Sequence, residues 1–122
     1  MESPHKGKTG LRRILNASRY SFAGFAAAVR SEEAFRQELI IAAILAPFGW
    51  VLGANGTQRA LLIGSLLLVL IVELLNAAVE AAVDRVSLEE HHLAKRAKDI
   101  GSAAVMLSIA SAAAIWALVL LD

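Results

Sequence analysis

The sequence predicts an all-α membrane protein: an N-terminal amphipathic surface helix followed by three transmembrane helices, the subunit of a helical bundle. Three observations predict it. First, 57% of the 122 residues are hydrophobic and the mean hydropathy is +0.60, which is too apolar for an ordinary soluble domain of this size. Second, three stretches are nearly free of charge. Leu39 to Gln58 and Ile100 to Leu121 carry none, and Ala60 to Val83 is interrupted only by Glu73 and Glu80. Third, the segment ahead of them repeats its apolar residues at helical spacing but breaks every apolar run with arginine. The 12 basic and 11 acidic residues almost cancel, and aromatic and basic residues are not interleaved, so nucleic acid is not expected as a partner. Cysteine is absent, which excludes disulfide scaffolds, thiol catalysis and cysteine metal sites.

The chain reads as one domain, 1–122. Residues 1–10 are expected to form a disordered tail. Over 11–33, Leu11, Ile14, Leu15, Phe22, Phe25, Ala26 and Val29 share a helix face, while Arg12, Arg13, Arg19 and Arg30 suit anionic head groups. No uninterrupted apolar run follows the basic residues, so this is not read as a signal peptide. The spans are expected at 34–52, 59–84 and 93–121; the second and third exceed the roughly 20 residues a bilayer requires, and the first is the shortest. Pro47 and Gly49 are expected to end or bend the first span early. Gly53-Ala54-Asn55-Gly56 reads as a compact turn that makes the first two spans antiparallel neighbours.

Charge distribution orients the chain. Seven of the twelve basic residues precede Leu39, only Arg59 lies near the first turn, and Arg85, Lys95, Arg96 and Lys98 lie between the second and third spans. The excess of Lys and Arg on cytoplasmic segments then places the N-terminus in the cytoplasm and the C-terminus outside.

The informative segment is Glu73-Leu74-Leu75-Asn76-Ala77-Ala78-Val79-Glu80-Ala81-Ala82-Val83-Asp84-Arg85. Glu73, Asn76 and Glu80 stand at i, i+3 and i+7, and Asp84 at i+11, which is one stripe on one helix face. Ionisable groups inside a span are costly and mark a function by default. Glu73 is fourteen residues from Arg59, or about 21 Å along a helix, which sets it toward the cytoplasmic side of a core about 30 Å thick. There a buried carboxylate suits a general base. Glu80, nearer water, suits a divalent cation, and magnesium prefers one or two carboxylates plus phosphate oxygens. Glu32, Glu33 and Glu38 add acids at the same interface, and Lys98 with the basic loop can neutralise phosphates. These are the parts that phosphoryl transfer requires.

Plainer readings stand beside these. The stripe can be interhelical glue, Lys98-Asp99 a helix-start ion pair, Glu32, Glu33 and Glu38 a solvated face, and His91-His92 a loop pair whose side chains would diverge on a helix. Gly7-Lys8-Thr9 mimics the end of a phosphate-binding loop, but Glu2 stands where the first glycine is needed. A proton-coupled transporter with Glu73 as carrier, or a structural oligomer packed through Gly101, Ala104, Ser108 and Ser111, is also compatible with the residues.

The run Glu73 to Arg85 resembles the signature of the prokaryotic integral-membrane diacylglycerol kinases. So do Glu32-Glu33-Ala34-Phe35-Arg36-Gln37-Glu38 and Ala97-Lys98-Asp99-Ile100-Gly101-Ser102-Ala103-Ala104-Val105. The resemblance covers nearly the whole chain from Leu11. It implies a homotrimer in the bacterial cytoplasmic membrane that transfers the γ-phosphate of ATP to the hydroxyl of diacylglycerol, with Mg2+ as cofactor. It further implies Glu73 as catalytic base, Glu32 and Glu80 as metal ligands, and Arg13, Tyr20, Glu32, Asn76, Glu80, His91, Lys98 and Asp99 around the nucleotide. Gln37, Glu38, Glu73 and Ser102 match positions on the lipid side. The basic segment His92-Leu93-Ala94-Lys95-Arg96 leans toward the related undecaprenol kinases, so undecaprenol stands as the alternative acceptor.

Overall fold

The computed structural model describes residues 10–86 and 91–122. The expected tail, 1–10, and the Gly7-Lys8-Thr9 motif lie outside the described residues, apart from Gly10. Four helices follow one another: α1 (Gly10–Ser31), α2 (Glu33–Leu52), α3 (Gly56–Val86) and α4 (His92–Leu120). No strand occurs among the described residues. The chain divides into two compact units at Glu33–Ala34.

In the first unit, α1 runs unbroken for 22 residues. Leu11, Ile14, Phe22 and Phe25 are exposed on it, and so are its arginines. Ser21 returns its hydroxyl to the Ala17 carbonyl at 2.9 Å. Glu32 alone separates α1 from α2, and its N–H still donates to the Ala28 carbonyl at 2.9 Å.

In the second unit, α2, α3 and α4 are each long and apolar enough to cross a membrane. At 31 residues, α3 is about 46 Å long and outruns a hydrocarbon core of about 30 Å. Its inward positions are Leu62, Leu66, Val69, Glu73 and Asn76, with Ser65 beside them. The alternating steps of four and three residues keep one seam toward a neighbouring helix. That neighbour is chiefly α4, which packs along α3 for most of its length. Trp116 fastens the pair: its indole N–H is shared between the Leu62 carbonyl and Ser65 Oγ, both at 3.1 Å.

Pro47 and Gly49 do not end α2 early, because the helix continues through both to Leu52. Proline removes one backbone bond, which membrane helices tolerate. Gly49 instead permits a close approach, since a β-carbon there would stand 3.2 Å from Leu62 Cβ and 3.5 Å from the Trp116 ring.

The α2–α3 connection is the expected compact turn. Asn55 caps α3 by accepting the Gln58 N–H at 2.9 Å, and Gln58 accepts the Ala54 N–H at 2.8 Å. With this cap α3 begins at Gly56, three residues earlier than the sequence pattern placed it. Arg59 donates to the Trp50 carbonyl at 2.9 Å and lies over the Trp50 ring, 4.8 Å from its centre. Gly53 leaves room for that arginine: a β-carbon at residue 53 would fall 2.6 Å from Arg59 Cγ.

Candidate active site

The stripe foreseen on α3 forms. Glu73 is only 5% exposed and Asn76 9%, while Glu80 is half-buried. The helical period explains the alignment, and packing against α4 explains the burial. Asn76 Nδ2 donates to Glu80 Oε1 at 3.0 Å, one turn along. Asn76 Oδ1 is buried with no hydrogen-bond partner among the described residues. It lies against Gly101 of α4, where a β-carbon would collide with it. The glycine therefore sets how deeply the Asn76 amide can sit.

Toward the Asn55 end, the stripe meets α2. The carboxyl groups of Glu38 and Glu73 lie close enough for their charges to interact. Glu38 Oε2 is buried and makes no hydrogen bond among the described residues. Glu38 also borders a cavity of about 360 Å³ between Ile41, Ala42 and Leu45 of α2, Leu66 and Val69 of α3, and Trp116 of α4. Apart from the carboxylate and the indole, that lining is aliphatic.

Toward the Val86 end, the site becomes wet and charged. Lys98 reaches across from α4 to Asp84 of α3, with Nζ 2.6 Å from Oδ1. Lys95 pairs with Asp99 one turn along α4 at 2.7 Å. The neighbours Lys98 and Asp99 thus do not pair with each other. Consecutive helical residues diverge, and each finds its partner a turn away or on the facing helix. His91 caps α4, accepting the Leu93 N–H on Nδ1 at 3.1 Å. Its ring stacks on His92 at 4.5 Å. The two side chains come together because His91 is extended backbone outside the helix.

The second unit thus brings together Glu38, Glu73, Asn76, Glu80 and Lys98. Gln37 and Ser102 are exposed and stand outside the buried stripe, and Asp99 is exposed beside Lys95. Arg13, Tyr20 and Glu32 belong to the first unit. Arg13 and Tyr20 are two turns apart on α1 and exposed, and Glu32 is half-buried at the α1–α2 junction. The sequence reading gave Gly101 only a packing role and gave Trp116 none. A glycine inside a helix costs about 1 kcal/mol against alanine, but that alone did not single out Gly101, because Gly24 and Gly64 also lie in helices and have nothing within 4 Å of where a β-carbon would stand.

The donor chemistry suits a hard divalent cation. Glu80 offers a half-buried carboxylate steadied by a neutral amide, and oxygen is the donor that magnesium takes. No group of three His, Cys, Asp or Glu side chains converges among the described residues. Magnesium needs none where phosphates and water complete its shell.

Fold and site together define an integral-membrane protein with a graded site, apolar and acidic at one end, solvated and ion-paired at the other. Such a site suits a reaction between a lipid and a water-soluble reagent. Residues 19–120 match the family model for prokaryotic diacylglycerol kinase. A protein named diacylglycerol kinase from Pseudomonas aeruginosa is 55% identical over 119 residues, covering 98% of this chain and 97% of the relative. Its namesake from Escherichia coli K12 is 46% identical over 112 residues, 92% of each chain. One from Helicobacter pylori strain 26695 is 38% identical over 115 residues, covering 94% of this chain and 89% of the relative. The chain belongs to the prokaryotic diacylglycerol kinase family.

Proposed function

We propose that this chain is an ATP-dependent diacylglycerol kinase of the bacterial cytoplasmic membrane, working as a homotrimer at the cytoplasmic face. The observation that carries this reading is the family match over residues 19–120. Relatives named diacylglycerol kinase favour diacylglycerol over undecaprenol as acceptor, and no observation favours a transporter.

The graded site supports a division of labour. The lipid hydroxyl comes to Glu73 from the apolar side, with Gln37, Glu38 and Ser102 as the lipid-side residues. The Glu73 carboxylate takes the hydroxyl proton as the oxygen attacks the γ-phosphorus of ATP. The bond between that phosphorus and the β–γ bridging oxygen breaks. ADP leaves, the phosphorylated lipid is phosphatidic acid, and Glu73 later releases its proton to water. Asn76 holds Glu80 in place through the 3.0 Å bond. Glu80 and Glu32 would be the carboxylates that hold magnesium, which would supply positive charge to offset that of the phosphates. Lys98 offers its ammonium to the phosphates, and Arg13, Tyr20, His91 and Asp99 serve the nucleotide.

The test is transfer of radiolabelled γ-phosphate from Mg-ATP in mixed micelles, with diacylglycerol and undecaprenol offered side by side. Diacylglycerol is the expected acceptor. Glu73→Gln keeps the shape and should lower the rate about 10²–10⁴-fold, the contribution of a positioned base. Transfer to neither lipid by folded protein overturns the reading.

A further inference from the structure

We infer that Asp84 is a positioning residue whose task is to keep the Lys98 ammonium off the Glu80 carboxylate. Glu80 and Asp84 stand one turn apart on α3 and face the same stretch of α4. Lys98 therefore has two carboxylates within reach. It contacts Asp84 at 2.6 Å and also feels the charge of Glu80. The hydrogen bond that Glu80 receives comes instead from the neutral amide of Asn76, at 3.0 Å. A carboxylate bonded to an amide keeps its full negative charge for a cation, whereas one in contact with an ammonium does not. Asp99 does not alter the choice, because Lys95 occupies it at 2.7 Å. Nor does the Asp84–Lys98 pair exist for stability. Its side chains are 64% and 43% exposed, and solvated pairs contribute little to folding. What the pair fixes is the place of one positive charge.

This inference rests on the reading of Glu80 as a cation ligand. Without Asp84, the lysine turns to Glu80 and competes directly with the metal. The test is Mn2+ binding to the detergent-solubilised full chain, read by electron paramagnetic resonance, so that no turnover is needed. Asp84→Asn should weaken Mn2+ binding about tenfold, and Asp84→Glu should keep it. Asp84→Asn combined with Lys98→Met should restore it, because the competing ammonium is gone. In kinetics, Asp84→Asn should raise the magnesium concentration for half-maximal rate about tenfold, with kcat recovered at saturation. An Asp84→Asn protein that binds Mn2+ like the unsubstituted chain overturns the inference. So does a double variant that stays as weak as the single one, or an unsubstituted chain that binds no Mn2+. Failure of the proposed function is distinguishable, because it appears as absence of lipid phosphorylation by the unsubstituted protein.

Discussion

At the scale of the residue, a few side chains make a continuous path from hydrocarbon to water. Glu73 and Glu38 bring carboxylates to the edge of an aliphatic cavity, Asn76 hands on to Glu80, and Lys98 with Asp84 closes the solvated end. Gly101 controls the middle of this path through its contact with Asn76. Gly101→Ala should force the buried amide to shift. Overpacking of this kind costs about 1–3 kcal/mol, seen as a lower midpoint in denaturant unfolding. The same shift moves the donor that steadies Glu80, so magnesium dependence should worsen alongside stability. An alanine variant with unchanged unfolding and unchanged magnesium dependence would show that the contact has no such role. The alignment of Glu73, Asn76 and Glu80 was legible in the sequence, because 3.6 residues per turn fix it without reference to any other helix. The Asp84–Lys98 pair was not, because it depends on how α3 and α4 register against each other. No local spacing encodes that register.

At the scale of the element, α3 and α4 behave as a fastened pair. Trp116 donates to both Leu62 and Ser65, and Ser65 Oγ donates to Leu62 O at 2.8 Å. Trp116→Phe removes the indole donor but leaves the Leu62 carbonyl bonded by Ser65. The expected loss is therefore about 0.5–1 kcal/mol, the range of interhelical hydrogen bonds in membranes. Trp116→Phe combined with Ser65→Ala should lose less than the two single changes together, because the two side chains bond each other at 3.1 Å and either single change already removes that contact. Unfolding of the four proteins in mixed detergent would give the coupling directly. Hydrophobic stretches announced three long apolar helices, and three are present, because a span announces itself by composition alone. Of the two outcomes expected at Pro47, an end or a bend, the end does not occur, since α2 continues to Leu52. Rules drawn from water treat proline as a helix end, whereas a helix in lipid has no solvent to receive the freed carbonyl and continues.

At the scale of the whole molecule, the proposed topology and the proposed homotrimer make separate predictions. The chain has no cysteine, so single replacements report topology without background. Ala54→Cys should react with a membrane-impermeant maleimide in intact cells, and Arg96→Cys only after lysis. The opposite pattern would invert the orientation and move the nucleotide site to the wrong side for cytoplasmic ATP. For assembly, sedimentation in density-matched detergent should give three times the 13.0 kDa chain mass. A monomer active at the same specific rate would remove the need for shared sites. The Lys and Arg distribution speaks to topology alone, and the homotrimer entered only through the family resemblance, since one chain carries no direct record of its neighbours.

The turn at Gly53–Asn55 also bears on how the protein enters its membrane. Only a few residues join α2 to α3, so with the N-terminus on the cytoplasmic side, as proposed, this short tip is the segment that crosses the hydrocarbon. Its polar groups travel with their partners: Ala54 N–H with Gln58, Gln58 N–H with Asn55, and the Arg59 side chain with the Trp50 carbonyl and ring. Each bond made within the tip is one that water need not supply in transit. The cap that starts α3 is thus also the packing of a polar cargo for a single passage.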